Sequence, residues 1–233
     1  MLAGTAEARD FCARAPCDVL ASLAGAVRRP LAQGVPTRVG GFGGEVGFLR
    51  VIAEEGIGAV VDATHPFAAR ITARTVAMCA REGVPYLRLE RPGWRAGPGD
   101  RWTWVDDAGG AVAAIPAGAA VFLATGRQTV SDFAGLTGPV WARVIDPPEE
   151  PFPLARGGWV TGRPPFPAEA EVALFRRLGV EWVVAKDSGA AEAEGKLAAA
   201  RELGLPVAMI RRPAPVEPRV ETVEAALAWV AGL

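Results

Sequence analysis

The side chains best suited to proton transfer are those of His65, Lys186 and Asp187. His65 is the only histidine of the chain, and Lys186 is one of two lysines beside 23 arginines. Each of the three follows a short apolar run that is typical of a β-strand. Imidazole, ammonium and carboxyl groups can give or take a proton in catalysis. The alternatives are a helix cap at 62–66 with a structural histidine, and a plain ion pair between Lys186 and Asp187.

A second set of polar residues and glycines lies in or directly after apolar runs and is suited to binding an anion. In an open parallel α/β sheet, ligands bind beyond the carboxyl ends of the strands, where these residues fall. Arginine binds carboxylates through two parallel hydrogen bonds, and a glycine turn can aim backbone N–H groups at an oxyanion. The predicted substrate-binding residues are Thr64, Arg127, Gln128, Arg143, Ser188 and Gly189.

The first 44 residues carry features expected of a dinucleotide site. A glycine turn at 4–5 precedes a helix-like stretch, so its backbone N–H groups can face a phosphate. The segment 19–44 holds three arginines and no acidic residue, and arginine near this place accommodates the 2′-phosphate of NADP. A plain turn, a solvated basic loop and a flexible hinge are the alternatives. The predicted cofactor-binding residues are Gly4, Thr5, Ser22, Gly25, Arg28, Arg29, Gly41, Phe42, Gly43 and Gly44.

Short apolar runs alternate with amphipathic stretches, which predicts an α/β fold with parallel sheets. Glycine followed two residues later by proline, at 83–85 and 204–206, indicates a helix end and the start of a strand. Strand-like runs lie at 1–3, 19–21, 59–61, 86–89, 119–124, 140–144, 182–185 and 207–210. Helix-like stretches lie at 7–14, 45–55, 67–81, 168–178, 192–203 and 223–230.

The segment 91–101 is rich in proline and glycine and lacks periodicity, so it is the predicted linker between two domains. We expect the first domain over 1–95 and the second over 96–233; one continuous sheet with a surface loop is the alternative. Because both halves have polar strand ends, we expect a cleft with a nucleotide on the first domain and an anionic ligand on the second. These features favour a two-substrate enzyme that uses NADP.

The composition excludes several classes of protein. The chain has 233 residues, 50% of them hydrophobic, so it can bury a sizeable core and is not globally disordered. A net charge of −1 does not favour a nucleic-acid partner, and no apolar run is long enough to span a membrane. The three cysteines lack metal-ligand spacing, so no metal site is expected. Three cysteines without a leader segment indicate the cytoplasm.

Ten segments, in order along nearly the whole chain, resemble the precorrin-6A reductase family, including its cobalt-precorrin-6A form. VVDATHPFA at 60–68 and VVAKDSG at 183–189 are the most specific of them. The others are AGTAEAR at 3–9, SLAG at 22–25, RVGGFGG at 38–44, YLRLERPGW at 86–94, ATGRQ at 124–128, ARV at 142–144, KLAAARELGLP at 196–206 and MIRRP at 209–213.

This resemblance implies an oxidoreductase of cobalamin (vitamin B12) biosynthesis that acts on a CH–CH bond with NADPH as cofactor. The hydride is expected at C19 and the proton at C18 of the macrocycle, which reduces the C18–C19 double bond of precorrin-6A and gives precorrin-6B. The resemblance also implies two Rossmann-like domains with the active site between them, and a reaction that needs neither metal nor flavin. A tetrapyrrole with many carboxylates fits arginine-rich strand ends.

The resemblance further implies that the predicted catalytic and substrate-binding residues face the tetrapyrrole. The proton donor is then Lys186, His65 or water. Neighbouring enzymes of the pathway are additional expected partners. Two alternative functions remain: an NADP-linked oxidoreductase for another anionic substrate, and a non-catalytic protein that binds a dinucleotide or a tetrapyrrole.

Overall fold

The computed structural model describes residues 1–25, 28, 30–146 and 149–233. The strands are β1 (Ala21–Leu23), β2 (Thr37–Val39), β3 (Val60–Asp62), β4 (Tyr86–Leu89), β5 (Arg101–Val105), β6 (Val121–Ala124), β7 (Val140–Val144), β8 (Gly157–Thr161), β9 (Trp182–Lys186), β10 (Pro206–Ile210) and β11 (Arg219–Val220). The α-helices are α1 (Ala6–Arg14), α2 (Glu45–Glu54), α3 (Ala69–Glu82), α4 (Ala108–Ala114), α5 (Ala168–Leu178), α6 (Gly195–Leu203) and α7 (Val223–Ala231). Short 3₁₀ segments cover Arg127–Phe133 and Ala191–Ala193.

The chain forms two compact units. Unit 1 comprises Met1–Pro92 and Pro213–Leu233, and unit 2 comprises Gly93–Arg212. The first crossing lies close to the predicted boundary and inside the predicted linker. The predicted second domain, 96–233, needs a correction at its C-terminal end. The chain returns there to unit 1, because β11 pairs with β4 and α7 packs on α1.

Unit 1 is built on a parallel sheet with very short strands. The strand predicted at 1–3 is reduced to Leu2, which bridges Ser22 of β1 and Asp62 of β3. With Leu2 counted, the order is β2-β1-Leu2-β3-β4-β11. This is the strand order of the doubly wound dinucleotide-binding fold. The order reverses at Leu2 and β3, so their carboxyl ends mark the expected ligand site.

Unit 2 is built on a six-stranded parallel sheet of order β5-β10-β9-β6-β7-β8. From β6 the chain moves outward through β7 to β8, and from β9 it moves the other way to β10. The direction therefore reverses between the neighbours β6 and β9. In the register of this pair, Ala124 lies opposite Ala185, so the two strands end side by side. The predicted α/β class with parallel sheets is confirmed.

The cores explain why the central strands are mostly apolar; in β3 and β4 the charged exceptions are Asp62 and Arg88. Every residue of β3 and β4 is buried, which is typical of a parallel sheet covered on both faces. In unit 1, Phe11 of α1 lies in one core cluster with Leu87 of β4. In unit 2, Phe122 of β6 packs against Phe175 of α5, with ring centroids 4.9 Å apart. Burial of such side chains supplies most of the driving force for each unit.

The predicted elements are largely present, and α5 has the bounds expected from the sequence. Gly83 (φ +66°) and Gly204 (φ +65°) end α3 and α6 in the left-handed conformation, which confirms the glycine–proline pattern. The sequence does not predict α4 or four strands, β2, β5, β8 and β11. All four of these strands lie at sheet edges. An edge strand has one neighbour and is partly exposed, so it lacks a continuous apolar run.

Three further observations concern membrane spans, metal binding and the cysteines. No helix in the described part of the chain is long and apolar enough to cross a membrane. Within the described ranges, no group of three or more His, Cys, Asp or Glu side chains is arranged to hold a metal ion. Cys12, Cys17 and Cys79 are free thiols, and burial raises the pKa of Cys79 to about 11.

Candidate functional site

The turn between Leu2 and α1 leaves open space beside its glycine. Thr5 is the N-cap of α1, because its Oγ1 accepts a hydrogen bond from the Ala8 N–H (3.2 Å). The same hydroxyl donates to the Ala63 carbonyl (2.8 Å), which ties this turn to the end of β3. Gly4 has φ +146°, and no atom lies within 4 Å of the position that a Cβ would take. A ligand can therefore approach the backbone at the start of α1.

The end of β1 is joined to the glycine-rich loop by Arg38, which the sequence analysis did not select as a site residue. Its guanidinium donates to Ser22 Oγ (2.7 Å) and to the carbonyl oxygens of Gly40 (3.2 Å) and Gly41 (3.0 Å). It also lies over the ring of Phe42, 4.1 Å from the centroid. Three predicted cofactor residues, Ser22, Gly41 and Phe42, thus share one arginine as a partner.

The loop 40–44 has the backbone that its glycines predict. Gly40, Gly43 and Gly44 have φ between +74° and +115°, and no atom lies within 4 Å of their missing Cβ positions. A Cβ on Gly25 (φ +79°) would lie 3.7 Å from the Gly40 backbone, so the two glycines lie close together. A Cβ on Gly47 of α2 would lie 1.7 Å from the Phe42 carbonyl oxygen, so the loop packs on α2 only because residue 47 is glycine.

The structure says less about the two arginines of this segment that the sequence predicts to bind the cofactor. Arg28 is exposed between β1 and β2. Arg29 lies outside the described residues. The structure therefore brings together Ser22, Gly25 and the glycine loop, whereas the predicted contacts of Arg28 and Arg29 with a 2′-phosphate stay predictions.

Asp62, at the end of β3, is the centre of a buried hydrogen-bond network. Its carboxylate accepts from Thr64 (N–H, 3.0 Å; Oγ1, 2.7 Å), Thr72 (2.7 Å), Tyr86 (3.0 Å) and Arg88 (2.8 Å). Burial, together with the Asp62 carboxylate, raises the pKa of Tyr86 far above its usual range, which keeps the phenol protonated. The sequence suggested a helix cap at 62–66, but α3 begins at Ala69 without a side-chain cap.

Arg88 completes this network from the neighbouring strand. It donates to Thr64 Oγ1 (3.0 Å), while its Nε and Nη2 donate to Glu90 (3.0 and 2.8 Å). Thr64 is therefore held by two charged groups that sequence reasoning did not connect. An arginine and an aspartate facing inwards from strands that are otherwise apolar are the signal that could have revealed them.

His65 follows this network and is exposed. Its Nδ1 accepts the backbone N–H of Phe67 (3.2 Å), and the two rings lie 5.8 Å apart. A neutral imidazole that accepts at Nδ1 carries its proton on Nε2. In this tautomer Nε2 is a hydrogen-bond donor.

In unit 2 the ends of β6 and β9 bring most of the predicted substrate residues together. Gly126 (φ +87°) turns the chain after β6, and the exposed Arg127 and Gln128 begin the 3₁₀ segment. Lys186 ends β9 and is half-buried. Burial lowers the pKa of its ammonium, opposed by the carboxylate of Asp132.

Asp187 is buried and connects the end of β9 with Trp94 and Arg212. Its carboxylate accepts the Trp94 N–H (2.8 Å) and lies 3.3 Å from Arg212 Nε. Arg212 Nε also donates to the Asp187 carbonyl (2.7 Å). A Cβ on Gly93 would lie 2.4 Å from Asp187 Oδ2, so glycine is required for this approach. The buried Ser188 and the turn at Gly189 (φ +65°) follow directly.

Arg143 already has a carboxylate partner inside unit 2. It donates to Glu171 (2.7 Å), with side chains 12% and 4% exposed, and lies 4.0 Å from the centroid of the Phe166 ring. The second lysine, Lys196, is buried nearby, with Nζ 4.5 Å from the centroid of the Trp94 ring. Burial lowers the pKa of Lys196 to about 8. One donor of Arg143 is therefore engaged by a buried carboxylate, and its predicted contact with substrate stays a prediction.

The two strand orders, with polar and glycine-rich turns at both points of reversal, define a Rossmann-like α/β protein. A family model described as precorrin-6x reductase CbiJ/CobK matches residues 1–231, and the chain belongs to this family. A solved structure described as CobK precorrin-6A reductase superposes with a TM-score of 0.93 at 45% identity, covering 99% of this chain and 94% of that chain.

Named relatives carry the same function in their descriptions. A precorrin-6A reductase of Rhodobacter capsulatus is 45% identical over 237 residues, covering 99% of this chain and 94% of the relative. One of Rhodococcus erythropolis is 42% identical over 250 residues, covering 100% and 97%. A cobalt-precorrin-6A reductase of Priestia megaterium is 32% identical over 232 residues, covering 91% and 89%. The predicted family is therefore confirmed.

Membership of a reductase family implies a nicotinamide cofactor, and the residues of unit 1 fit one. The open positions beside Gly4, Gly40 and Gly43 leave room for a ligand against the backbone. Ser22 and Arg38 add a hydroxyl and a guanidinium at the end of β1. These are the donor types that a ribose and a phosphate need.

Proposed function

We propose that the protein reduces the C18–C19 double bond of precorrin-6A, or of its cobalt form, with NADPH, to give the corresponding precorrin-6B in cobalamin biosynthesis. The observation that carries this proposal is the dinucleotide-type strand order of unit 1, with an open glycine turn at its point of reversal, in a chain of the precorrin-6x reductase family. When bound, the cofactor supplies a hydride for C19 of the macrocycle.

Unit 1 would hold the cofactor through its turns. Backbone N–H groups after Gly4 face a phosphate at the start of α1, where the helix dipole is positive. The glycine loop at 41–44 and Gly25 allow close approach of the nucleotide, and Ser22 contacts the adenosine ribose. An arginine of the segment 28–38 compensates the charge of the 2′-phosphate.

The substrate carboxylates would bind at the ends of β6 and β9. Arg127 and Gln128 donate from the exposed start of the 3₁₀ segment, and the turn at Ser188 and Gly189 adds a backbone donor. On unit 1, Thr64 is the proposed contact, because Asp62 and Arg88 fix its hydroxyl. We assign Arg143 and Asp187 positioning roles, since each is already engaged by buried partners.

We assign the proton for C18 to the ammonium of Lys186. Its place at the point of strand reversal puts it among the proposed substrate contacts. Partial burial lowers its pKa and makes the ammonium a stronger acid than an exposed lysine. His65 is the alternative donor. The cleft expected between the domains, the cytoplasmic location and contacts with neighbouring pathway enzymes stay predictions.

The deciding experiment is an anaerobic assay of the purified protein with precorrin-6A or cobalt-precorrin-6A and either NADPH or NADH. We expect loss of nicotinamide absorbance that depends on the tetrapyrrole, and a product heavier by two hydrogen atoms. Deuteride from labelled NADPH should appear at C19. Comparison of the two tetrapyrroles shows which form the protein uses.

Each alternative function has its own outcome in this assay. Tight binding of nucleotide and tetrapyrrole without nicotinamide oxidation would identify a binding protein. Oxidation of NADPH with other anionic compounds, such as simple ketones, but not with either tetrapyrrole would identify a different oxidoreductase. Either result would overturn the proposal.

A further inference from the structure

We propose that Arg38, supported by Ser22, binds the 2′-phosphate of the cofactor and makes the protein prefer NADPH to NADH. This inference rests on the proposed function, because it concerns the nucleotide site of unit 1. It replaces the predicted roles of Arg28 and Arg29 in phosphate recognition with that of a residue whose place is fixed by the fold.

The position of Ser22 is the first argument. In dinucleotide-binding folds, the ribose 2′-hydroxyl is bound about 20 residues after the glycine turn, by an acidic residue when the cofactor is NAD. Ser22 occupies this place on β1, next to Leu2 and after Gly4. The segment 19–44 has no acidic residue that could bind the hydroxyl or repel a phosphate. The site therefore lacks the usual determinant of NAD binding.

The second argument is the state of the Arg38 charge. The acceptors that the structure gives Arg38 are neutral: the Ser22 hydroxyl and the carbonyl oxygens of Gly40 and Gly41. By contrast, Arg88 and Arg91 of the same unit each lie against a carboxylate. Among the described residues, Arg38 thus has no carboxylate partner for its positive charge. A phosphate dianion is the ligand that such a charge attracts most strongly.

The third argument is preorganisation. Arg38 is half-buried, its guanidinium lies over the Phe42 ring, and it donates three hydrogen bonds. A side chain fixed before binding loses little conformational entropy when the ligand arrives.

The test measures binding rather than turnover. Adenosine 2′,5′-bisphosphate and 5′-AMP differ only by the 2′-phosphate, and calorimetric titration gives the affinity for each. We expect the wild type to bind the bisphosphate more tightly. Arg38→Ala should weaken binding of the bisphosphate about tenfold or more and leave 5′-AMP unchanged. Arg50→Ala, an exposed arginine on α2, is the matched control and should change neither affinity.

A second variant tests whether Arg38→Ala weakens binding only by changing the shape of the glycine loop. Ser22→Asp leaves Arg38 in place and puts a carboxylate at the end of β1. The new carboxylate should pair with Arg38 and repel the 2′-phosphate, so binding of the bisphosphate should weaken. The affinity for 5′-AMP should be kept or improved. The preference for NADPH over NADH should then fall or invert.

The inference is overturned if Arg38→Ala weakens both ligands equally, if it changes neither, or if Arg28→Ala alone removes the preference. These outcomes leave the proposed reductase intact when NADPH still reduces the tetrapyrrole. A wild type that binds both ligands equally overturns the inference and the choice of NADPH together. Turnover with NADH would then show whether the reductase proposal survives.

Discussion

The Asp62 carboxylate and the Arg88 guanidinium form an ion pair of 2.8 Å whose side chains are 0% and 2% exposed. Removing two charges from water is costly, and the cost is offset only when the remaining hydrogen-bonding groups are satisfied. Here Thr72 and Tyr86 bond the carboxylate, and Glu90 bonds the far side of the guanidinium. The pair therefore fixes the turn at the end of β3.

Asp62→Asn is expected to lower the free energy of unfolding by about 3 kcal/mol, because it leaves a buried arginine without its full counter-charge. Urea unfolding of the purified variant measures this loss. Asp10→Asn is the control, since Asp10 pairs with Arg14 at 3.0 Å on the surface and its side chain is 49% exposed. That control should cost less than about 1 kcal/mol. Similar small losses for both variants would contradict a special role of the buried pair.

Lys186→Arg is expected to separate proton donation from charge. Arginine keeps the positive charge but is not deprotonated in proteins, so it binds a carboxylate without giving up a proton. We expect kcat to fall by about 100-fold while KM stays within a few-fold. His65→Ala should change kcat only slightly, and Arg177→Met, an exposed residue of α5, not at all. Wild-type kcat in Lys186→Arg would rule out Lys186 as the donor.

Lys196 should make the stability of the protein depend on pH. Burial lowers its pKa from 10.5 to about 8 in the folded state. Between these values the unfolded chain binds more protons, so the free energy of unfolding rises with pH. Relative to Lys196→Met, the wild type should gain up to about 3 kcal/mol from about pH 8 to about pH 10.5.

Urea unfolding at several pH values measures this difference, and subtraction removes the titration of other groups that both proteins share. Arg176→Met changes an exposed residue of α5 and should keep the wild-type pH dependence. Parallel curves for wild type and Lys196→Met would show that the pKa of Lys196 is not lowered.

Gly47→Ala should disturb the glycine loop from outside it. Its Cβ would lie 1.7 Å from the Phe42 carbonyl oxygen, which is backbone and cannot swing aside. We expect a loss of about 1–3 kcal/mol in stability and weaker nucleotide binding. Gly58→Ala, where no atom lies within 4 Å, is the matched control and should be close to neutral. Unchanged nucleotide affinity in Gly47→Ala would separate the loop from the cofactor site.

The sequence alone determines the class of fold and the family. Alternating apolar runs and amphipathic stretches depend on neighbours along the chain, so α5 and the central strands β4 and β7 are predicted close to their observed bounds. The polar turns after β3, β6 and β9 are visible for the same reason. Local patterns also predict the glycines that end α3 and α6 in the left-handed conformation.

Only the tertiary structure decides how distant residues meet. The edge strands β2, β5, β8 and β11 are partly exposed, and β11 joins unit 1 although the whole of unit 2 precedes it in the sequence. The partners of the arginines are likewise non-local: Arg143 is bound by Glu171 on a helix, whereas Arg38 meets the Ser22 hydroxyl and has no carboxylate partner in the described part of the chain. The sequence does not distinguish an arginine of the first kind from one of the second. Its role depends on whether the fold brings a carboxylate to it, because that contact decides whether charge is left for a ligand.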